Sequence, residues 1–208
     1  MIRDTDSLTF LKCTQYKDRP SHSDNLHIDI WYKGENILLD SGTYKYNTEP
    51  QLVRYFSGTA GHNTVMLGDN DQMLKGPRFI WLNWNKSKEV KIEDKGAYWI
   101  FEGQVHEFKH LGNNTNHTRQ VSKYKGQAIW EITDNVEHAT NLPMIQIWNV
   151  AYDFTEKFDI KAFDTEGVAI LPIYVQGYYS GLYGVKENSK IIRFVSSGKS
   201  IKTTIRLK

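Results

Sequence analysis

Apolar residues recur with a period of two along most of the chain, and that rhythm restricts the fold more than any other feature. Leu26, Ile28, Ile30 and Tyr32 alternate with His27, Asp29 and Trp31, and residues 97–108 alternate for long enough to make one extended strand. Successive strand side chains point to opposite faces, so each such segment buries one face and wets the other. Further strand-like runs cover 62–67, 79–84, 117–124, 127–133, 144–150, 168–175, 190–195 and 200–207. Turn chemistry separates them, as in Lys33-Gly34-Glu35-Asn36, Asp40-Ser41-Gly42, Glu93-Asp94-Lys95-Gly96, Lys125-Gly126 and Ser197-Gly198. No window of a dozen residues keeps an i, i+3, i+4, i+7 stripe. The pattern predicts an all-β chain, and 208 residues suit one large antiparallel β-sandwich. Without an internal repeat, low-complexity tract or clear linker, residues 1–208 read as one domain, with a small C-terminal sheet from about 154 as the alternative.

Two segments interrupt the rhythm. Residues 47–61 are polar and turn-rich, with Pro50 and the cluster Ser57-Gly58-Thr59-Ala60-Gly61, and read as a long loop of the kind that often carries function. Residues 109–116 hold His110 and three Asn residues.

Composition removes several function classes. With 39% hydrophobic and 24% charged residues the chain is neither disordered nor collagen-like. No run approaches the ~18 apolar residues of a membrane span, and Met1-Ile2-Arg3-Asp4-Thr5-Asp6 lacks the apolar core of a secretory signal. Net charge is +2, with Lys and Arg spread along the whole length, whereas nucleic-acid binders concentrate their basic residues. The single cysteine, Cys13, excludes an internal disulfide and a Cys-rich zinc site, and its strand-like setting reads as a buried structural thiol.

The histidines are unevenly placed. His22 and His27 flank Asp24 and Asn25, Asp40 ends the run Asn36-Ile37-Leu38-Leu39 before a Ser-Gly turn, and His62 follows the Gly-rich loop. Folding can bring these edges to one end of a sandwich. Two imidazoles and a carboxylate suit a divalent metal, zinc first on ligand type, with calcium or manganese as alternatives. No short ligand motif supports the set, so hydrogen-bonded loop histidines with Asp40 capping its turn remain the other reading. His106, His110, His117 and His138 show no partner pattern. Most of the six tryptophans fall on core-facing strand positions, while Trp81 and Trp84, three apart, should face opposite sides.

Three segments acquire meaning together: Arg19 to Asp40 with its His-x-Asp-x-Leu element, Asp40-Ser41-Gly42-Thr43-Tyr44, and Gly58-Thr59-Ala60-Gly61-His62-Asn63-Thr64-Val65. They resemble the C-terminal β-sandwich region of the heparinase II/III-like family, and weaker similarity runs on through Arg119, Trp130, Asp134 and His138 to 179–184. The resemblance implies polysaccharide lyases that cleave uronate-containing polymers by β-elimination, with an α/α toroid preceding the sandwich and the cleft between them. It implies His22, Asp40 and His62 as metal ligands, with His22 as ligand or proton-transfer group but not easily both. Where some relatives carry a catalytic His two positions before that ligand, this chain has Pro20. Arg19, Arg54 and Asn63 flank the histidine loops and are candidates to meet acidic sugar groups. The expected partners are an acidic polysaccharide and a helical toroid, in a bacterial periplasmic or extracellular setting. Without the toroid, these residues should be catalytically silent. The alternative is a non-catalytic carbohydrate-binding or structural module.

Overall fold

The alternating segments pair into two large antiparallel sheets in a computed structural model that describes residues 1–112, 115–137 and 140–208. His138, and Asn113 and Asn114 of the 109–116 segment, lie outside the described residues. One sheet runs in the order Ile2–Arg3, Ser7–Leu11, Ile28–Tyr32, Glu35–Leu38, Met144–Val150, Glu187–Ser196, Ile173–Tyr179, with Val65–Leu67 also paired to Met144–Val150. The other runs Ala169–Ile170, Phe158–Phe163, Ser200–Leu207, Ile129–Glu137, Asn116–Tyr124, Tyr98–His106, Lys86–Asp94. This is the all-β sandwich that the alternation predicts. The strands after Phe154 divide between both sheets and form no separate C-terminal sheet.

Inward-facing residues of the two sheets meet in one core. Trp130, Trp148, Phe101, Phe158, Ile192 and Ile205 are all essentially fully buried there. Each such side chain contributes roughly 1.5–3 kcal/mol by leaving water. The expected strand 79–84 shrinks to Trp81–Leu82, so Trp81 is buried while Trp84, only partly buried, lies beyond the strand and its exposure does not follow from strand spacing. Cys13 packs half-buried against the core, and burial raises its thiol to about 11, the setting of an inert sulfur.

Three expectations need correction. The 47–61 segment contains a helix, Pro50–Ser57. Pro50 reads as turn punctuation in sequence, yet its fixed φ and missing N–H are also favoured in the first helical turn. Eight residues are too few to display a stripe over a dozen positions. The strand Lys86–Asp94 escapes the alternation test because it forms a sheet edge exposed on nearly every residue. Alternating charges along it discourage edge-to-edge association. The run 168–175 breaks into two strands around Leu171 and Pro172, where proline withdraws a ladder donor.

One part of the interior is polar. Asn116–Tyr124 turns His117, Arg119, Val121 and Lys123 inward. The Arg119 guanidinium forks onto Asp134, with Nε–Oδ1 and Nη2–Oδ2 both 2.7 Å, and its Nη1 donates to the carbonyls of Leu26 at 2.6 Å and Asn63 at 2.5 Å. His117 lies between Glu107 at 2.8 Å and Asp134 at 2.9 Å, and Gln146 donates to Asp134 at 2.7 Å. A buried guanidinium is tolerable because its charge is matched and its donors are used. Through those two carbonyls the network also anchors the 26–28 and 62–64 backbone.

Candidate functional site

Three loops meet at the end of the sandwich above Arg119. The helix Pro50–Ser57 leads through Gly58 into a tight turn, Thr59–Gly61, and delivers His62. Gly61 is crowded, because a Cβ there would lie 2.8 Å from the Tyr55 carbonyl oxygen, fixed by the backbone, as well as 2.4 Å from the Ser41 hydroxyl. Asp71 accepts the Thr59 N–H at 2.7 Å. Gln72 takes the Asn25 N–H at 2.9 Å and donates to the Asn25 carbonyl at 2.8 Å, clamping the 21–27 loop beside the turn. Asn63 locks the third side, with Nδ2 donating to the Ile28 and Leu39 carbonyls at 2.8 and 3.0 Å and Oδ1 accepting the Asn149 N–H at 2.5 Å.

These clamps place His62 at the centre of a buried ionisable group. Its Nδ1 is 3.0 Å from Asp40 Oδ2, its ring centroid is 5.2 Å from that of His22, and its Nε2 has no protein partner among the described residues. Two triads within ligating reach share it: His22, Asp24 and His62, and His27, Asp40 and His62, each with candidate donor atoms inside 4.8 Å of one another. One member of each triad is already committed. His27 Nδ1 accepts the Asn63 N–H at 2.9 Å, so in the neutral ring Nε2 carries the proton and offers no lone pair. Asp24 is bound by the Lys12 ammonium at 2.6 Å and the Tyr16 hydroxyl at 3.1 Å. His22 and the Nε2 of His62 are left without a committed partner, whereas Asp40 is engaged at both oxygens: Oδ2 faces His62 Nδ1 at 3.0 Å and His27 Nε2 at 3.6 Å, and Oδ1 accepts the Gly42 N–H at 2.8 Å, the turn-capping role of the alternative reading.

Electrostatics separates these groups. Burial, reinforced by His62, lowers His22 to about 4, and burial lowers His27 to about 4 despite Asp40. Burial opposes protonation of His62 as well, yet Asp40 outweighs it and raises the ring. Burial likewise works against the Asp40 carboxylate, and the neighbouring His62 and His27 overcome it, holding Asp40 well below the usual carboxylate range. His22 and His27 are thus held neutral beside an ionised Asp40, while His62 leans towards its protonated form, so a divalent cation taken up at the unpartnered Nε2 of His62 would have to displace a proton there.

His22 also forms part of the wall of a cavity of about 510 Å³. Arg19, Lys45 and Lys75 line the same cavity beside Tyr46 and Phe79, and no carboxylate lines it among the described residues. An anion is the complementary ligand.

The family model of the heparinase II/III-like C-terminal region matches residues 3–207. The chain belongs to this family. The sandwich of this heparinase II/III-like domain superposes on the heparan sulfate lyase HepC from Pedobacter heparinus with a TM-score of 0.77 at 15% identity, covering 97% of this chain and 33% of that one. A crystal structure of heparinase III gives 0.75 at 16% identity, over 97% and 33% of the two chains. A second heparinase III gene product gives 0.73 at 18%, over 96% and 32%. The domain thus spans about a third of the length of these solved relatives. No curated protein sequence matches it.

The residues nominated from sequence divide clearly. Asp40 and His22 each lie against His62, but on different triads, His22 with Asp24 and Asp40 with His27, and Arg19 reaches the cavity. Asn63 is fully buried with its side chain committed to backbone groups, the loop-closing arrangement, and it does not line the cavity. Arg54 pairs with Asp71 at 3.4 Å and the Asp69 carbonyl at 3.0 Å and does not line the cavity. Sequence reasoning left out Lys45, Lys75, Tyr46 and Phe79. No local signal marks them, because only the fold brings 45–46 and 75–79 to the 19–22 loop.

Proposed function

We propose that this domain is the sandwich wall of a polysaccharide lyase that cleaves an acidic, uronate-containing polymer by β-elimination. The observation that carries the reading is the position of His22, on the wall of a cavity lined by three cations. In elimination a base removes the proton α to the uronate carboxylate and an acid protonates the departing glycosidic oxygen. The first step builds negative charge on the carboxylate, which Arg19, Lys45 and Lys75 are placed to neutralise. The base belongs to a helical toroid on the far side of the cleft. Tyr16 does not supply it, since burial and then Asp24 raise its hydroxyl far above the ordinary phenol range.

His22, Asp40 and His62 would hold a divalent cation, zinc first by ligand type and calcium or manganese second. When bound, the ion supplies positive charge and cross-links the 21–27, 40–44 and 59–64 loops. His22 then acts as a ligand and not as a proton shuttle. An acidic polysaccharide substrate also implies a periplasmic or extracellular setting. No helix among the described residues is long and apolar enough to cross a membrane.

The test is an elimination assay on the domain joined to its helical toroid. Unsaturated uronate, read by ultraviolet absorbance, is the expected product, and new reducing ends without that absorbance overturn the mechanism. Pro20, where some relatives place a catalytic His, favours a second reading as a carbohydrate-binding module. That reading predicts polymer binding with no elimination, unaffected by His22→Ala.

A further inference from the structure

The cavity opens beside a group of exposed aromatic rings. Tyr46 is 60% exposed, Tyr183 67% and Phe79 42%, and what sets them apart from other exposed rings such as Tyr152 and Tyr174 is that they cluster beside the cavity. They are close neighbours: Tyr46 meets Phe79 at 5.7 Å between centroids with planes at 88°, and Tyr183 at 5.9 Å with planes at 49°. The result is an aromatic corner with two ring faces set at a right angle.

The backbone beneath the corner is fixed. Tyr46 N–H donates to the Tyr183 hydroxyl at 3.3 Å, Gly184 N–H to the Tyr44 carbonyl at 2.8 Å, and Ser180 N–H to the Ser41 carbonyl at 2.8 Å. Gly42 sits at φ +85° directly over Ser180, where a Cβ would lie 2.2 Å from the Ser180 oxygen, so the two loops approach as closely as backbones can. Rings held this way lose little freedom when a ligand lies on them. Arg19, Lys45 and Lys75 supply positive charge along the adjoining wall, Lys75 steadied over the Trp81 ring at 4.8 Å.

We propose that Tyr46, Phe79 and Tyr183 form a stacking subsite for the pyranose rings of an acidic oligosaccharide, whose anionic groups are met by Arg19, Lys45 and Lys75. The proposal rests on the acidic-polysaccharide reading and adds a binding step that is independent of elimination. A pyranose presents a face of C–H groups that packs on an aromatic face, with hydroxyls at its edge that the tyrosine O–H groups can meet. A protein partner is the weaker match, because the apolar surface runs straight into a polar, cation-lined cavity. A single-stranded nucleic acid also stacks and carries charge, but it selects a long basic groove, and the net charge here is only +2.

Calorimetry of the 208-residue chain tests this, with hexasaccharides of heparan sulfate, hyaluronan and alginate as probes and a thymidine oligonucleotide as comparator. Tyr46→Ala and Tyr183→Ala should each weaken binding of at least one hexasaccharide about tenfold, while Tyr46→Trp, which keeps a stacking face, retains it. Lys45→Ala should flatten the salt dependence without abolishing binding. Unchanged affinity in the alanine variants, no hexasaccharide bound by the parent chain, or tighter binding of the oligonucleotide would each overturn the proposal. Binding that follows this pattern in a toroid-joined protein that yields no unsaturated product leaves the corner standing and removes the lyase reading instead.

Discussion

His62 and His117 are both fully buried imidazoles facing a carboxylate, and they differ in the second nitrogen. His117 is bonded on both sides, to Glu107 and Asp134, and Asp134 is itself held by Arg119 and Gln146. His62 is bonded on one side to Asp40, and its Nε2 faces no protein partner among the described residues. A buried polar atom without a partner is costly, and each arrangement keeps one: Nε2 of His62 in the first, Oε2 of Glu107 in the second. The network around Asp134 is closed except at that oxygen, whose carboxyl burial pushes towards its neutral form. The open nitrogen of His62 is the one a cation would take in the function proposed above.

The largest consequence falls on the closed network. Removing one member of a buried ion pair leaves the other charge unmatched, at a cost of about 3–5 kcal/mol. Asp134→Ala, which strands both Arg119 and His117, should lower stability by about that amount in urea unfolding. A loss below about 1 kcal/mol would show that the network is not closed as described.

The open site should respond to metal where the closed one does not. With zinc at about 100 times its dissociation constant, the chelator-treated protein should gain about 2.7 kcal/mol of stability. His62→Gln should erase that gain. His117→Gln should lower the baseline yet keep the gain. If both variants kept it, the ion would bind elsewhere.

Alkaline pH separates the pair more gently. Burial works against the His117 imidazolium, but Glu107 and Asp134 outweigh it and raise the ring to about 9. A raised folded pKa contributes stability that is complete below the unfolded value of about 6.5 and is lost as pH rises through about 9. The slope should approach about 1.4 kcal/mol per pH unit within that window. In acid the sign reverses for Asp134, whose depressed pKa contributes stability lost only as pH falls below the ordinary carboxylate range. Urea midpoints from pH 6 to 10 should therefore decline in the parent and flatten in His117→Gln. A flat parent profile would mean that His117 is not held as an imidazolium.

The two histidines also differ in how far their sequence announces them. His22, Asp40 and His62 lie in loops dense with turn residues, and the resemblance of those loops to a known family carried the assignment. His117 stands at a core position of an alternating strand, where a solvent-facing register would look identical until the partner strand is known. The sheets themselves were legible, since 200–207 alternates and the apolar run 144–150, buried at nearly every position, is bounded as a strand; both occupy the strands expected. The helix Pro50–Ser57 was not, because its stripe is too short, and the charged edge 86–94 was not, because neither of its faces is fully buried. Lys45, Lys75, Tyr46 and Phe79 were invisible for a third reason: nothing local distinguishes a residue that lines a cavity from one that faces bulk water.

The smallest expected effects sharpen the same division between fold and ligand. Arg19 and Arg54 look equivalent in sequence, each flanking a histidine loop. In the structure Arg54 spends its guanidinium on Asp71 and the Asp69 carbonyl, while Arg19 lines the cavity. The Arg54 side chain is 60% exposed, so the pair contributes at most about 0.5 kcal/mol after solvent screening. Asp71, by contrast, is buried, and its Oδ1 still holds the Thr59 N–H when Arg54 is gone. Arg54→Ala should therefore lower stability by no more than about 0.5 kcal/mol and leave oligosaccharide affinity unchanged. Arg19→Ala should leave stability unchanged within the same margin and weaken an acidic hexasaccharide several-fold, with a shallower salt dependence because one ionic contact is gone. Reversal of the two, with affinity following Arg54 and not Arg19, would move the anion site away from the cavity and toward the helix Pro50–Ser57.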